Sequence, residues 1–269
     1  MRPRHFSCMR ILAPILALVA SHCDAAPATL ASRAKLTVFE ATLGEQGQRT
    51  PELSTEQLKA FLARKSGVVL DARSSREFAN AHIPGSIGIE ETGLLRLVQD
   101  FPDRSTEIVV YASGAFSGRA RQRAEDLVNL GYARVGRYQL GLAVWRALGN
   151  TAETSILGFR RILAESNAVV IDARSRAEYL AGTIPAAENV QAGEVAGAMQ
   201  DRRLQYYDRN SRIIVFGNSA GQARKVAEEI ALNAYTNSSY FGGTYQELKR
   251  VRVFSERRPI ASNPDRPGR

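Results

Sequence analysis

The sequence predicts an α/β protein of two tandem domains, each a doubly wound, mostly parallel sheet flanked by helices. Three observations carry that expectation. The run Val68-Val69-Leu70-Asp71-Ala72-Arg73 returns as Val169-Val170-Ile171-Asp172-Ala173-Arg174, 101 positions later. The strand signals are short, apolar and β-branched, as in strands buried on both faces of a parallel sheet. Between and after them lie segments whose apolar residues recur at helical spacing.

The repeat extends beyond its first block. Glu77-Phe78 matches Glu178-Tyr179 and Ile83-Pro84 matches Ile184-Pro185 at the same spacing, while Ile108-Val109-Val110-Tyr111 matches Ile213-Ile214-Val215-Phe216 at 105. A period of about a hundred residues is far longer than a solenoid unit, so it marks whole domains. The expected boundaries are 51–150 and 151–255.

Taken in chain order, residues 1–28 read as a secretory signal. Arg2, Arg4 and Arg10 precede the ten-residue apolar run 11–20, which is half the length of a membrane span. Ala26-Pro27-Ala28 gives a small-x-small cleavage site, with cleavage after Ala25 as the alternative; His22 before Cys23 argues against a lipoprotein cysteine. Export to a periplasm or beyond is expected. Residues 29–50 form an N-terminal extension without assignable periodicity.

Thr55–Arg64 should be the first helix. Leu58, Phe61 and Leu62 share a face, with Ser54 as N-cap and Gln57 three positions on. Strands are expected at Val68–Leu70 and Ile108–Tyr111, and a helix at Arg119–Leu130 that stops at Gly131. The second half repeats this order, with a helix from about Ala223 to Ala234. The tail 256–269, rich in Arg, Pro, Ser and Asn, reads as a disordered basic terminus.

Composition narrows the chemistry. Of 269 residues, 44% are hydrophobic and 23% charged, ordinary for a globular protein. The formal charge is +9, or +7 without residues 1–28, and lysine supplies only five of the 36 basic residues. The arginines are scattered among acids, so the charge reads as a solvated surface; no nucleic-acid partner and no transmembrane span are expected. Both cysteines, Cys8 and Cys23, and two of the three histidines, His5 and His22, precede Ala25. A processed chain therefore has no thiol and only His82. Disulfides, thiolate nucleophiles and Cys/His metal sites are excluded, and no cofactor is expected.

In open α/β sheets a ligand sits at the carboxyl ends of the strands, where a loop feeds a helix N-terminus. Those loops are Tyr111-Ala112-Ser113-Gly114-Ala115-Phe116-Ser117, leading to Arg119, and Gly217-Asn218-Ser219-Ala220-Gly221-Gln222, leading to Arg224. Two readings stand side by side: a cradle of backbone amides for a small anion such as thiosulfate, sulfate or phosphate, or simple capping and turn chemistry.

The pattern resembles the two-domain rhodanese family of sulfurtransferases. Asp71, Arg73, Glu77, Phe78, His82, Ile83, Pro84 and Gly85 match the family's D-x-R-x-x-x-E-[FY]-x-x-x-H-I-P-G; Asp172, Arg174, Glu178, Tyr179, Ile184 and Pro185 match it more loosely, with Thr183 and Ala186 replacing His and Gly. Leu127–Tyr132 with Val135 and Gly141, and Phe241-Gly242-Gly243, are similar to the family's closing helix and strand.

The resemblance implies sulfur transfer through a loop cysteine, in a loop like C-x-S-G-x-R-S. Here Tyr111 stands at the cysteine position and Phe116 at the arginine in an ungapped alignment. If Tyr111 extends the strand, Ala112 takes that place and the loop is one residue short. Gly217 is the counterpart in the second half. A persulfide needs a soft sulfur atom, which none of these supplies. The expectation is an exported, catalytically inactive rhodanese-like protein that serves as a binding or scaffold module. Its protein partner is unidentified, and a small anion is a candidate ligand in one or both loops. The alternative is an active sulfurtransferase or sulfur-carrier enzyme, moving thiosulfate or persulfide sulfur with a borrowed thiol or by a chemistry the motifs do not display. His82, Asp71, Arg73, Asp172 and Arg174 are expected to be structural, with each arginine pairing Glu77 or Glu178.

Overall fold

The computed structural model describes residues 49–89, 93–204 and 211–251. The signal segment, most of the 29–50 extension and the basic tail lie outside the described residues.

The first half opens with α1 (Thr55–Arg64), which begins where the sequence places it. Ser54 Oγ accepts from the Gln57 amide and the Gln57 side chain accepts from the Ser54 amide, so two otherwise orphaned donors are satisfied. There follow β1 (Gly67–Asp71), α2 (Ser75–Asn80), β2 (Ile87–Gly88), α3 (Gly93–Asp100), β3 (Glu107–Tyr111), α4 (Gly118–Asn129), β4 (Arg134–Tyr138) and α5 (Gly141–Ala147). The second half comprises β5 (Ala152–Thr154), α6 (Ile156–Glu165), β6 (Val169–Asp172), α7 (Arg176–Ala181), β7 (Glu188–Asn189), α8 (Val195–Gln200), β8 (Ile213–Phe216), α9 (Ala220–Leu232), β9 (Ser238–Phe241) and α10 (Tyr245–Arg250).

The strand orders are β2-β1-β3-β4 and β5-β9-β8-β6-β7, and every paired strand is parallel. Alternation along the strands builds a core on each face. In the first sheet Val68, Leu70, Ile108 and Val110 pack beneath Ala124 and Leu127 of α4. Val69, Val109 and Tyr111 turn to the other face, against Leu58 of α1 and Trp145 of α5. The second sheet is built likewise, with Val226 and Ile230 of α9 on one side and Phe159 of α6 on the other. No helix among the described residues is long and apolar enough to cross a membrane.

The halves meet along a seam of backbone contacts. His82 and Glu153 exchange amide–carbonyl bonds of 2.9 and 2.8 Å, an antiparallel bridge on the outer edge of β5. The Ser155 amide donates to Ala79 O and Thr154 Oγ1 to Asn80 O, each at 3.0 Å. Gly158 of α6 lies so close that an added Cβ would fall 1.9 Å from Ala79 O. Only glycine permits that approach.

Candidate functional site

The two loops are placed by strand register. Tyr111 is paired with Asp71 and Tyr138 in the ladder, so it is the last residue of β3 and Ala112 is the first of the loop. Phe216 pairs with Asp172 in the same way, which makes Gly217 the counterpart of Ala112. The alternative in which Tyr111 extends the strand is thus the one the register displays.

Tyr111 points down, away from the loop mouth, and is fully buried. Its hydroxyl lies 2.6 Å from Asp71 Oδ2 and 3.0 Å from Ser86 Oγ, and it accepts from the Ile83 amide at 2.9 Å. Burial, then the Asp71 carboxylate, pushes the phenol well above its ordinary value, so Tyr111 is the donor to Asp71.

Asp71 also receives the Arg73 amide and guanidinium Nε, both 2.9 Å from Oδ1, and Arg73 Nη2 reaches on to Ala81 O at 2.6 Å. The second half repeats the fork: the Arg174 amide and Nε lie 2.9 and 3.0 Å from Asp172 Oδ1, and Arg174 Nη2 is 2.7 Å from Gly182 O. This corrects the expected pairing of these arginines with Glu77 and Glu178. A planar guanidinium two residues along the chain fits its own aspartate bidentately, and that geometry wins. The pair clamps the Ala81–Ile83 segment that bridges to β5.

Glu77 and Glu178 are instead capping-box residues that lean over the loops. Glu77 holds the Ser74 amide and hydroxyl, accepts from Ser113 Oγ at 3.4 Å and pairs with Arg119 at 3.2 Å. Partial burial opposes its ionisation, but the Ser74 bonds, Arg73 and Arg119 outweigh burial and lower its pKa. Glu178 is lowered by the Ser175 hydroxyl and then by Asn218, whose Nδ2 donates at 2.6 Å. Each loop therefore already has a carboxylate fixed against it.

The loop backbone is partly committed. Ala112 O and Ser113 O accept from the Leu142 and Ala143 amides of α5, each at 3.0 Å. That docking requires Gly141, whose φ is +66 and whose Cβ would lie 2.5 Å from Ala112 O. The Ser117 amide bonds Gly114 O across the turn, and Gln139 Nε2 holds Ala115 O. Ser117 precedes α4 without a side-chain cap bond, whereas Ser219 caps α9 through the Gln222 amide. Gln222 Oε1 receives the Asn218 amide, Gly217 O accepts from the Tyr245 amide, and Gly221 lies in the first turn of α9. Phe116 stands 87% exposed at the loop tip. Arg224 turns from its loop toward Glu228, at 2.7 Å, and lines a groove between the halves.

His82 is buried, stacked on Phe78 with centroids 3.9 Å apart, and its Nδ1 lies 2.9 Å from Phe78 O. Burial draws its pKa down, against the Phe78 carbonyl and Glu153. Its place is the seam, away from both loops. Glu153 and Tyr240, joined at 3.1 Å, were not singled out by sequence reasoning. The signal that finds Glu153 is the repeat: it follows Glu52 at the spacing of 101, and where Glu52 makes an isolated bridge to Arg137 of β4, Glu153 pairs with Tyr240 of β9. Among the described residues no cluster of three His, Cys, Asp or Glu side chains is arranged to hold a metal.

No curated protein sequence matches the chain. Among solved structures it is similar to a thiosulfate sulfurtransferase from Pseudomonas aeruginosa, at 22% identity and a TM-score of 0.34, over 77% of this chain and 43% of that one. The chain thus spans less than half of that relative. A 3-mercaptopyruvate sulfotransferase from Escherichia coli matches at 20% identity and a TM-score of 0.34, over 73% of this chain and 99% of that one. A rhodanese-like domain from Anabaena sp. matches at 25% and 0.35, over 39% and 79%. The rhodanese-like domain model matches residues 54–148 and again 158–250, which together are most of the chain. The protein belongs to the rhodanese-like family, with two such domains in tandem.

Proposed function

We propose that this is an exported, catalytically inactive rhodanese-like protein that acts as a binding or scaffold module. One observation carries the reading. The residues that follow β3 and β8, where a loop nucleophile would stand, are Ala112 and Gly217. Neither bears a group that can form and release an S–S bond. The side chain before Ala112 is unavailable as a substitute, because the Tyr111 hydroxyl is spent on Asp71 and the Ile83 amide.

Purified protein is expected to give no thiosulfate:cyanide sulfur transfer above a blank. Ala112→Cys is expected to gain turnover if the surrounding loop remains competent. Turnover by the unaltered chain, from a preparation free of contaminating enzyme, would sink the proposal. The alternative, a sulfurtransferase that borrows a thiol, predicts turnover only when a thiol-bearing partner is added.

A small anion is the finer part of the proposal, and the first loop suits it better. Ser117 is uncommitted as a cap and Arg119 is more than half exposed, while Ser219 is spent on capping α9 and Arg224 turns away from its loop to the groove between the halves. An entering anion must displace Glu77 from Arg119. Millimolar thiosulfate, sulfate or phosphate is expected to raise the melting temperature, and Ser117→Glu to abolish the rise.

A further inference from the structure

The seam between the halves holds a cavity of about 670 Å³ that none of the residues 112–119 or 217–222 lines. A second cavity of about 330 Å³ adjoins it and shares Lys59, Trp145 and Arg224 as walls. Both volumes fall in the range of small-molecule sites, and sites favour interfaces between domains.

The floor is apolar and aromatic, with Phe61, Leu62 and Trp145 from the first half and Tyr240 from the second. Around it stand three cations, Lys59, Lys65 and Arg224, and one carboxylate, Glu153. That carboxylate is engaged: Tyr240 donates to it and His82 Nε2 lies 3.9 Å away. The acids that pair the cations do not line this cavity. Glu56 holds Lys59 from a position 81% exposed, and Glu228 holds Arg224 from the adjoining cavity. Lys65 sits in the left-handed C-cap of α1 with no ion pair among the described residues. Of the three cations, Lys65 alone thus stands over the aromatic floor without an acidic partner among the described residues.

We infer that the seam groove binds a small organic anion, with an apolar body laid against Trp145 and Phe61 and a carboxylate or sulfonate head held by Lys65 and Arg224. Charge complementarity selects the head and the aromatic floor selects the body. The site is independent of the loops and of any chemistry there.

Trp145 is the single tryptophan of the chain, so the groove carries its own reporter. Titrating the full chain with anilinonaphthalenesulfonate is expected to quench Trp145 saturably at one site and to produce sensitised probe emission. Uncharged N-phenylnaphthylamine is expected to bind at least tenfold more weakly, and naphthoate to compete with the sulfonate. The double variant Lys65→Gln/Arg224→Gln is expected to lose tenfold or more in affinity with an unchanged melting temperature, whereas Ser117→Glu leaves binding intact. Equal binding of the charged and uncharged probes, an unaffected double variant, or no saturable quenching would each overturn the inference. Loss of binding in Ser117→Glu would also overturn it, by assigning the anion to the loop.

Discussion

The aspartates that end β1 and β6 each accept from a hydroxyl, and the two halves recruit it from different places. In the first, Tyr111 reaches Asp71 Oδ2 from β3 and position 82 is histidine; in the second, Thr183 donates to Asp172 Oδ2 at 2.6 Å and Phe216 stands where Tyr111 would. Removing the donor takes one hydrogen bond from a buried carboxylate oxygen that keeps its arginine, at a cost of about 1.5–3 kcal/mol for a bond to a charged group. Tyr111→Phe also strips the Ile83 amide of its acceptor, so it should lie at the upper end and Thr183→Val lower, as read from denaturant midpoints. His82 supplies a pH signature. Its folded pKa is below the ordinary 6.5, so the unfolded chain binds the proton more readily and stability falls as pH drops below about 6.5. The lowered carboxylates Glu77 and Glu178 act only below their ordinary value of 4.5. In His82→Gln the loss of melting temperature between pH 6.5 and 5 should flatten, while the steeper loss below pH 4.5 stays.

At the scale of elements, much was legible because capping chemistry and periodicity are local. Ser54 with Gln57, Ser74 with Glu77, and Ser175 with Glu178 all form capping boxes, although only the first was read as one. The repeat also anticipated both sheets. What sequence could not show is which partner a charge selects: Arg73 had Asp71 and Glu77 within reach, and the fork geometry decided. Nor could it show the seam, because Gly158 looks like an ordinary helix-interior glycine until Ala79 O is placed against it. Gly158→Ala must push α2 and α6 apart. Calorimetry is expected to show a lowered transition that begins to split into two, with a cost of about 1–3 kcal/mol. A single unshifted transition would contradict the tight seam.

For the whole molecule, the halves are joined front to back: the Ala79–His82 stretch of one repeat docks on the β5 edge and α6 of the next. Such a heterologous contact, copied onward, grows a ring where its rotation closes and an open filament where it does not. The second half presents the equivalent front, and the first half the equivalent back. The docking groups differ, however. Position 57 carries glutamine where 158 carries glycine, and position 180 carries a leucine, 46% exposed, where 79 carries alanine. A third copy brought to the same distance would drive a side chain into a backbone carbonyl. The glutamine of α1 thus denies the front of the second half the close approach that glycine gives α6: the contact that unites these two repeats is one that their own outer ends cannot copy.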